Sequence, residues 1–229
     1  PVTEEHGYIS DASSFDQLKR MFEERRAGER MFLFNVTIQN HGSYTDEDYK
    51  TRVYLTDEPG AYPMAEQYLT LERETQEAFL DLIQDLQNEQ EPVLVVMFGD
   101  HQPAVEQEFL DKAYGVKQDD MTMEEYMNKF RVPFVIWANY SLPSPESIGL
   151  NPEITSLNFL AQYVLECAGM SGNDYGEFLK SVSSELPALT FAGYFDSQGE
   201  AYSHLETNEY GELIEEYQTV QYGELFGDT

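Results

Sequence analysis

Apolar residues in this chain gather into a few uninterrupted runs and several spaced faces. The densest run, Val93-Leu94-Val95-Val96-Met97-Phe98, is bounded by Pro92 and Gly99. An unbroken apolar run with three valines predicts a strand buried on both faces, the pattern of a parallel sheet rather than of an alternating surface sheet. Met31 to Ile38 predicts a second buried strand, and Val132 to Trp137 a third, with Pro133 marking its start or an edge position. Helical spacing fills the intervals. Ser10 to Ser14 supply N-cap residues before Phe15, Leu18, Met21 and Phe22, a helix ending near Gly28. Tyr68, Leu71, Phe79, Leu82, Ile83 and Leu86 mark a long amphipathic helix that crosses over into the central strand. Thr155 caps a helix carrying Leu157, Leu160, Ala161, Val164, Leu165 and Ala168, stopped by Gly169, and Asp174 starts another through Phe178 and Leu179. Leu189 to Phe195 reads as an edge hairpin arm with Asp196 to Gly199 as its turn. Leu213, Tyr217 and Val220 predict a terminal helix packing on the sheet. The fold class expected is α/β: a mainly parallel sheet flanked by helices, with a small C-terminal strand and helix region.

Two predicted strands deliver polar groups at their C-terminal ends. The central run stops on Gly99-Asp100-His101, and the run from Met31 stops on Gln39-Asn40-His41-Gly42. Parallel strands would bring His41 and the Asp100-His101 pair to one rim of the sheet, where open α/β sheets bind ligands. A carboxylate beside an imidazole offers two of the N/O ligands that a divalent metal accepts. The blander reading is that Asp100 caps the next segment and both histidines are loop residues. The polar, tyrosine-rich stretch from Ser43 to Pro63 suits a surface loop that covers a site or merely connects. Asp119, Asp120, Glu124 and Glu125 lack EF-hand spacing and read as a solvated face. His6 and His204 have no partner that the sequence reveals.

Composition narrows the function. With 13 basic against 43 acidic residues the net charge is -30, which repels nucleic acid and anionic membrane surfaces. Hydrophobic residues make up 41% of the 229, enough for one packed domain rather than a disordered chain. No apolar run reaches the length of a membrane span, so a soluble chain is expected, and the start at Pro1 suggests a processed or excised piece. The single cysteine, Cys167, permits no internal disulfide and reads as a small core residue.

Phe34 to Gly42 (Phe-Asn-Val-Thr-Ile-Gln-Asn-His-Gly), Val96 to Pro103 (Val-Met-Phe-Gly-Asp-His-Gln-Pro) and Val132 to Tyr140 together resemble the lipoteichoic acid synthase-like branch of the sulfatase and alkaline phosphatase superfamily. Thr155 to Leu160 and Glu216 to Tyr222 extend the likeness over nearly the whole chain, in the family's order. The resemblance implies a partial sulfatase/alkaline phosphatase-like fold, residues 1–229 forming the C-terminal portion of one catalytic domain. It also implies a membrane-anchored parent facing outward, a phosphoglycerol transferase or sulfatase-like hydrolase of cell-envelope polymers. Asp100 and His101 match the family's paired metal ligands, with manganese expected and zinc, magnesium or calcium as alternatives. His41 matches the histidine that contacts the phosphoryl group of a phosphoglycerol lipid or other ester substrate. The family's threonine nucleophile and acidic ligand have no counterpart before His41. The expectation is therefore an inactive half-site that needs an N-terminal half and exposes a surface for self-association. The competing reading is a non-catalytic binding or scaffold module with a vestigial metal site.

Overall fold

The computed structural model describes residues 2–151 and 153–227. Along the chain come β1 (Glu4–Glu5), β2 (Tyr8–Ile9), α1 (Asp11–Glu24), α2 (Pro63–Leu86), β3 (Leu94–Phe98), α3 (Gln107–Tyr114), α4 (Met123–Met127) and β4 (Phe134–Ala138). They are followed by α5 (Leu157–Cys167), α6 (Asp174–Glu185), β5 (Ala188–Leu189), β6 (Tyr194–Phe195), β7 (Ala201–Tyr202) and α7 (Gly211–Phe226). The α/β class expected from the sequence is the one found. The chain divides into two compact units, one of residues 1–91 and 103–117, the other of residues 92–102 and 118–229.

In the first unit, α1 starts as its sequence dictates: Ser10 is the N-cap and its hydroxyl accepts from the Ser13 N–H. Phe15 packs edge-on against Phe79 of α2, and Lys19 reaches Asp85 at 2.8 Å. The first turns of α2 carry buried polar side chains, and these organise the loop before it. Glu66 Oε1 accepts the N–H groups of Leu55 (3.0 Å) and Gly60 (2.8 Å), while Thr70 accepts those of Arg52 and Val53. Gln67 pairs with both backbone groups of Asp46. Backbone groups that a loop would leave to water are thus met by one helix face, so the stretch 43–62 is stitched down as a surface layer.

Met31 to Ile38 departs from expectation. The segment forms no strand or helix and joins no sheet, and Phe32, Phe34 and Val36 are 88%, 71% and 77% exposed. A strand needs a neighbour to satisfy its backbone and cover its faces, and the described residues provide none here.

The second unit is built on a core of Phe159, Tyr163 and Cys167 from α5, Leu179 and Val182 from α6, Leu189, Tyr194 and Tyr217. Burial raises the Cys167 thiol pKa, which keeps it a packing residue. The buried face of α5 is Phe159, Leu160, Tyr163 and Cys167, rotated from the predicted stripe so that Leu157 is left exposed. Ser156 rather than Thr155 stands at its N-cap position, and the Ser156 hydroxyl bonds Leu189 instead. Leu189 to Phe195 is not one strand: Thr190 to Gly193 folds into a tight turn between β5 and β6, and β7 adds the third strand beyond the Asp196–Gly199 turn. The terminal helix α7 lies beside α6, packs through Tyr217 against Phe159 and bonds Asn158, so its seat is the helices α5 and α6 rather than the sheet.

The central strands are the main correction. β3 and β4 pair antiparallel, Leu94 opposite Ala138 and Phe98 opposite Phe134, where a parallel sheet was expected. The 35 residues between them return the chain to the end of β3 that it left, and the Gly99 N–H donates to the Pro133 carbonyl at 3.1 Å to close that end. β3 is half-buried rather than buried on both faces: Leu94, Phe134 and Ile136 pack on the helical core, while Phe98 and Val135 are exposed. All strand pairs among the described residues are antiparallel. No helix among them is long and apolar enough to cross a membrane.

Candidate functional site

His41 stands on a corner that two helices hold from beneath. Its N–H donates to the Ile38 carbonyl (3.0 Å), closing a turn over Gln39 and Asn40. Gln39 is buried and its Oε1 accepts the backbone N–H of Asp11 at 2.8 Å, the first residue of α1. Asn40 Nδ2 donates to Glu72 Oε1 (2.9 Å) and to Thr75 Oγ1 (3.0 Å), both on α2. The Thr75 hydroxyl donates in turn to Asp11 Oδ2 at 2.6 Å, and the Tyr44 hydroxyl donates to the Asn40 carbonyl. Burial pushes the Asp11 carboxyl above its ordinary pKa, against the opposing effect of hydrogen bonds from Thr75, Thr37 and Gln39. Glu72 is likewise raised by burial, and the Tyr68 hydroxyl is pushed up chiefly by burial and then by the charge of Glu72. A buried network of this kind fixes geometry, because breaking it would leave its members to bear their desolvation. The His41 ring itself is exposed, with Nδ1 2.9 Å from the Gly42 carbonyl. A carbonyl only accepts, so Nδ1 carries the hydrogen and Nε2 is the free nitrogen.

Asp100 and His101 project from the corner after β3. Gly99 is needed there for close approach: a Cβ on it would lie 3.2 Å from Val132 Cβ. The corner is pinned at Gly99 by Pro133 and at Gln102, whose side chain donates to the Arg131 carbonyl. Between these anchors the two side chains face solvent, 85% and 69% exposed. Asp100 Oδ1 accepts the His101 N–H at 2.9 Å, which leaves Oδ2 free, 3.7 Å from His101 Nε2. His101 Nδ1 lies 2.9 Å from the Gln102 carbonyl, so Nε2 again holds the free lone pair.

This donor set fits a divalent ion. Ligand bonds of about 2.0–2.2 Å place two donors of one ion roughly 3–4 Å apart, and an imidazole that donates Nδ1–H to a carbonyl presents Nε2 to the metal. Two donors make an incomplete shell, and among the described residues no cluster of three or more His, Cys, Asp or Glu is assembled.

The sequence pointed to His41, Asp100 and His101 but not to what holds them. Asp11 lies among N-cap residues and reads as one of them, and nothing in its local pattern signals burial beneath His41. Nor does the sequence show that His6 is ringed by Tyr8, Tyr44 and Tyr49, at centroid distances of 6.3, 6.2 and 5.6 Å.

A protein of Rhizobium meliloti (strain 1021) named for cyclic beta-1,2-glucan modification is 25% identical over 198 residues, 82% of this chain and 30% of its own length. Among solved structures, the Streptococcus pyogenes phosphoglycerol transferase GacH in complex with sn-glycerol-1-phosphate superposes with a TM-score of 0.64 at 16% identity. The match covers 96% of this chain and 50% of that one, so the fold is shared and the chain spans half or less of the proteins it matches. A family model, Sulfatase, matches residues 1–170, three quarters of the chain and both the His41 and the Asp100-His101 corners; the chain belongs to the sulfatase family.

Proposed function

We propose that this chain supplies the C-terminal part of the active site of a metal-dependent phosphoglycerol transferase or sulfatase-like hydrolase acting on phosphate or sulfate esters. The observation that carries the reading is the pair of free donors, Asp100 Oδ2 and His101 Nε2, 3.7 Å apart at a pinned strand end. Support for phosphoglycerol as the substrate class comes from GacH, which shares the fold and was solved with sn-glycerol-1-phosphate.

Asp100 and His101 would hold the ion and orient it, manganese being the ion the family resemblance implies, with zinc, magnesium or calcium as alternatives. When bound, such an ion withdraws charge from a phosphoryl oxygen and lowers the pKa of a neighbouring hydroxyl. His41 is fixed by its Gln39-Asn40 corner, and its Nε2, free of any protein partner, gives a hydrogen bond or a proton to the transferring group in the imidazolium form, whose Nδ1–H still donates to the Gly42 carbonyl. A threonine nucleophile and a further acidic ligand come from polypeptide that precedes residue 1 in an outward-facing, membrane-anchored parent, as the family resemblance implies.

The test is an ester-cleavage assay with manganese. Residues 1–229 alone should not turn over phosphodiester, phosphomonoester or sulfate-ester substrates, whereas the same residues preceded by the threonine-bearing segment should. In the longer protein Asp100→Ala or His101→Ala should remove most of the activity, about a hundredfold or more, with the metal. His41→Ala should lower turnover and leave metal content unchanged. Metal-dependent turnover by residues 1–229 alone, abolished at Thr37 or Ser43, would overturn the assignment.

A further inference from the structure

β1 and β2 are joined by two residues, His6 and Gly7, with φ of +52° and +78°. Positive φ at both central positions is the type I′ hairpin geometry, which asparagine and glycine fill at least cost. A histidine in the left-handed region costs about 1 kcal/mol, and its ring here is set into the protein rather than into water. It stacks on Tyr44 at 17° and meets Tyr49 edge-on, and its Nδ1 is buried without a hydrogen-bond partner. A buried ring nitrogen without a partner is an unmet cost that an entering ligand can relieve.

His6, Gly7 and Tyr8 line one side of an open cleft of about 400 Å³, with Gly42, Ser43, Thr45 and Asp46 on the other. Tyr8 is shared with His41, whose ring meets it edge-on at 6.0 Å. The Ser43 and Thr45 hydroxyls, 3.1 Å apart, add neutral donors. Asp46 opposes an anion, although its Oδ1 already accepts the Asp48 N–H. Tyr49 stays neutral, its hydroxyl pushed up to about 12 by burial.

We propose that His6 is a second imidazole of the site read above for His41, lining a cleft for the phosphoryl group of a small polyol phosphate that His41 borders through Tyr8. The two imidazoles and the Ser43 and Thr45 hydroxyls offer hydrogen bonds to a phosphoryl group, and the Tyr8 face offers a wall for the carbon skeleton. The inference rests on the proposed role of His41 and goes beyond it by assigning ligand contact to the hairpin tip.

The chain has four histidines, so each imidazole C2–H signal is assignable by one substitution. Residues 1–229 are titrated near pH 6, where imidazole is protonated, with inorganic phosphate and then sn-glycerol-1-phosphate. The His6 and His41 signals should move along one saturation curve, tighter for the glycerol ester, while His101 and His204 stay still. His6→Ala should weaken binding about tenfold, the scale of one hydrogen bond. Movement of His41 without His6, movement of neither, or equal movement of His204 overturns the proposal, and the wild-type titration alone decides this if His6→Ala fails to fold. Manganese added separately should broaden His101. If it does not while His6 and His41 still respond together, the metal assignment fails and the phosphoryl cleft stands.

Discussion

Asp11 shows how much of the site is decided by a residue with no chemistry of its own to perform. It is 1% exposed, yet it touches both the α1 start and, through Thr75 and Asn40, the His41 corner. Its pKa is raised, so the folded chain holds the proton more tightly than the unfolded one. The stability this contributes is complete below the ordinary aspartate pKa and is lost as pH rises through the raised value. Asp11→Asn keeps an acceptor for Thr75 and removes the ionisation, so urea unfolding should depend less on pH above the ordinary aspartate range than in the wild type. Asp11→Ala should cost about 2 kcal/mol, because it orphans the Thr75 hydroxyl. A steeper pH dependence in Asp11→Asn would show that burial is not what shifts this carboxyl. The three chemically suggestive residues were legible because each follows an apolar run and a turn. Asp11 was not, since burial is a property of the fold and a cap residue looks the same whether its side chain meets water or Thr75.

At the scale of elements, helix positions followed from periodicity and strand partners did not. The starts of α1 and α6 sit at or beside the predicted caps, because a cap and an apolar face are local signals. Apolar runs say only that a segment seeks burial. Val93 to Phe98 found an antiparallel neighbour in β4, and Met31 to Ile38 found none among the described residues. An uncharged segment with exposed Phe32, Phe34 and Val36 invites pairing with a second copy of the chain, even against the net charge of -30. Residues 1–229 should therefore bind an apolar dye and sediment faster at higher concentration, and Phe32→Glu with Phe34→Glu should reduce both effects. Monomeric sedimentation without dye binding at every concentration would show that the segment is covered.

At the scale of the molecule, two compact units each carry one corner of functional interest, His41 in the first and Asp100-His101 in the second. Family membership extends across both, since the matched residues 1–170 include the two corners. The strongly acidic surface raises the local concentration of cations and slows anions, so the chain favours metal capture and leaves anionic substrate to depend on local imidazoles. Calorimetric titration of residues 1–229 with manganese tests most directly whether Asp100 and His101 are metal ligands. Two donors predict a weak site, near the millimolar range, that His101→Ala abolishes; tight stoichiometric binding unchanged by His101→Ala would contradict it.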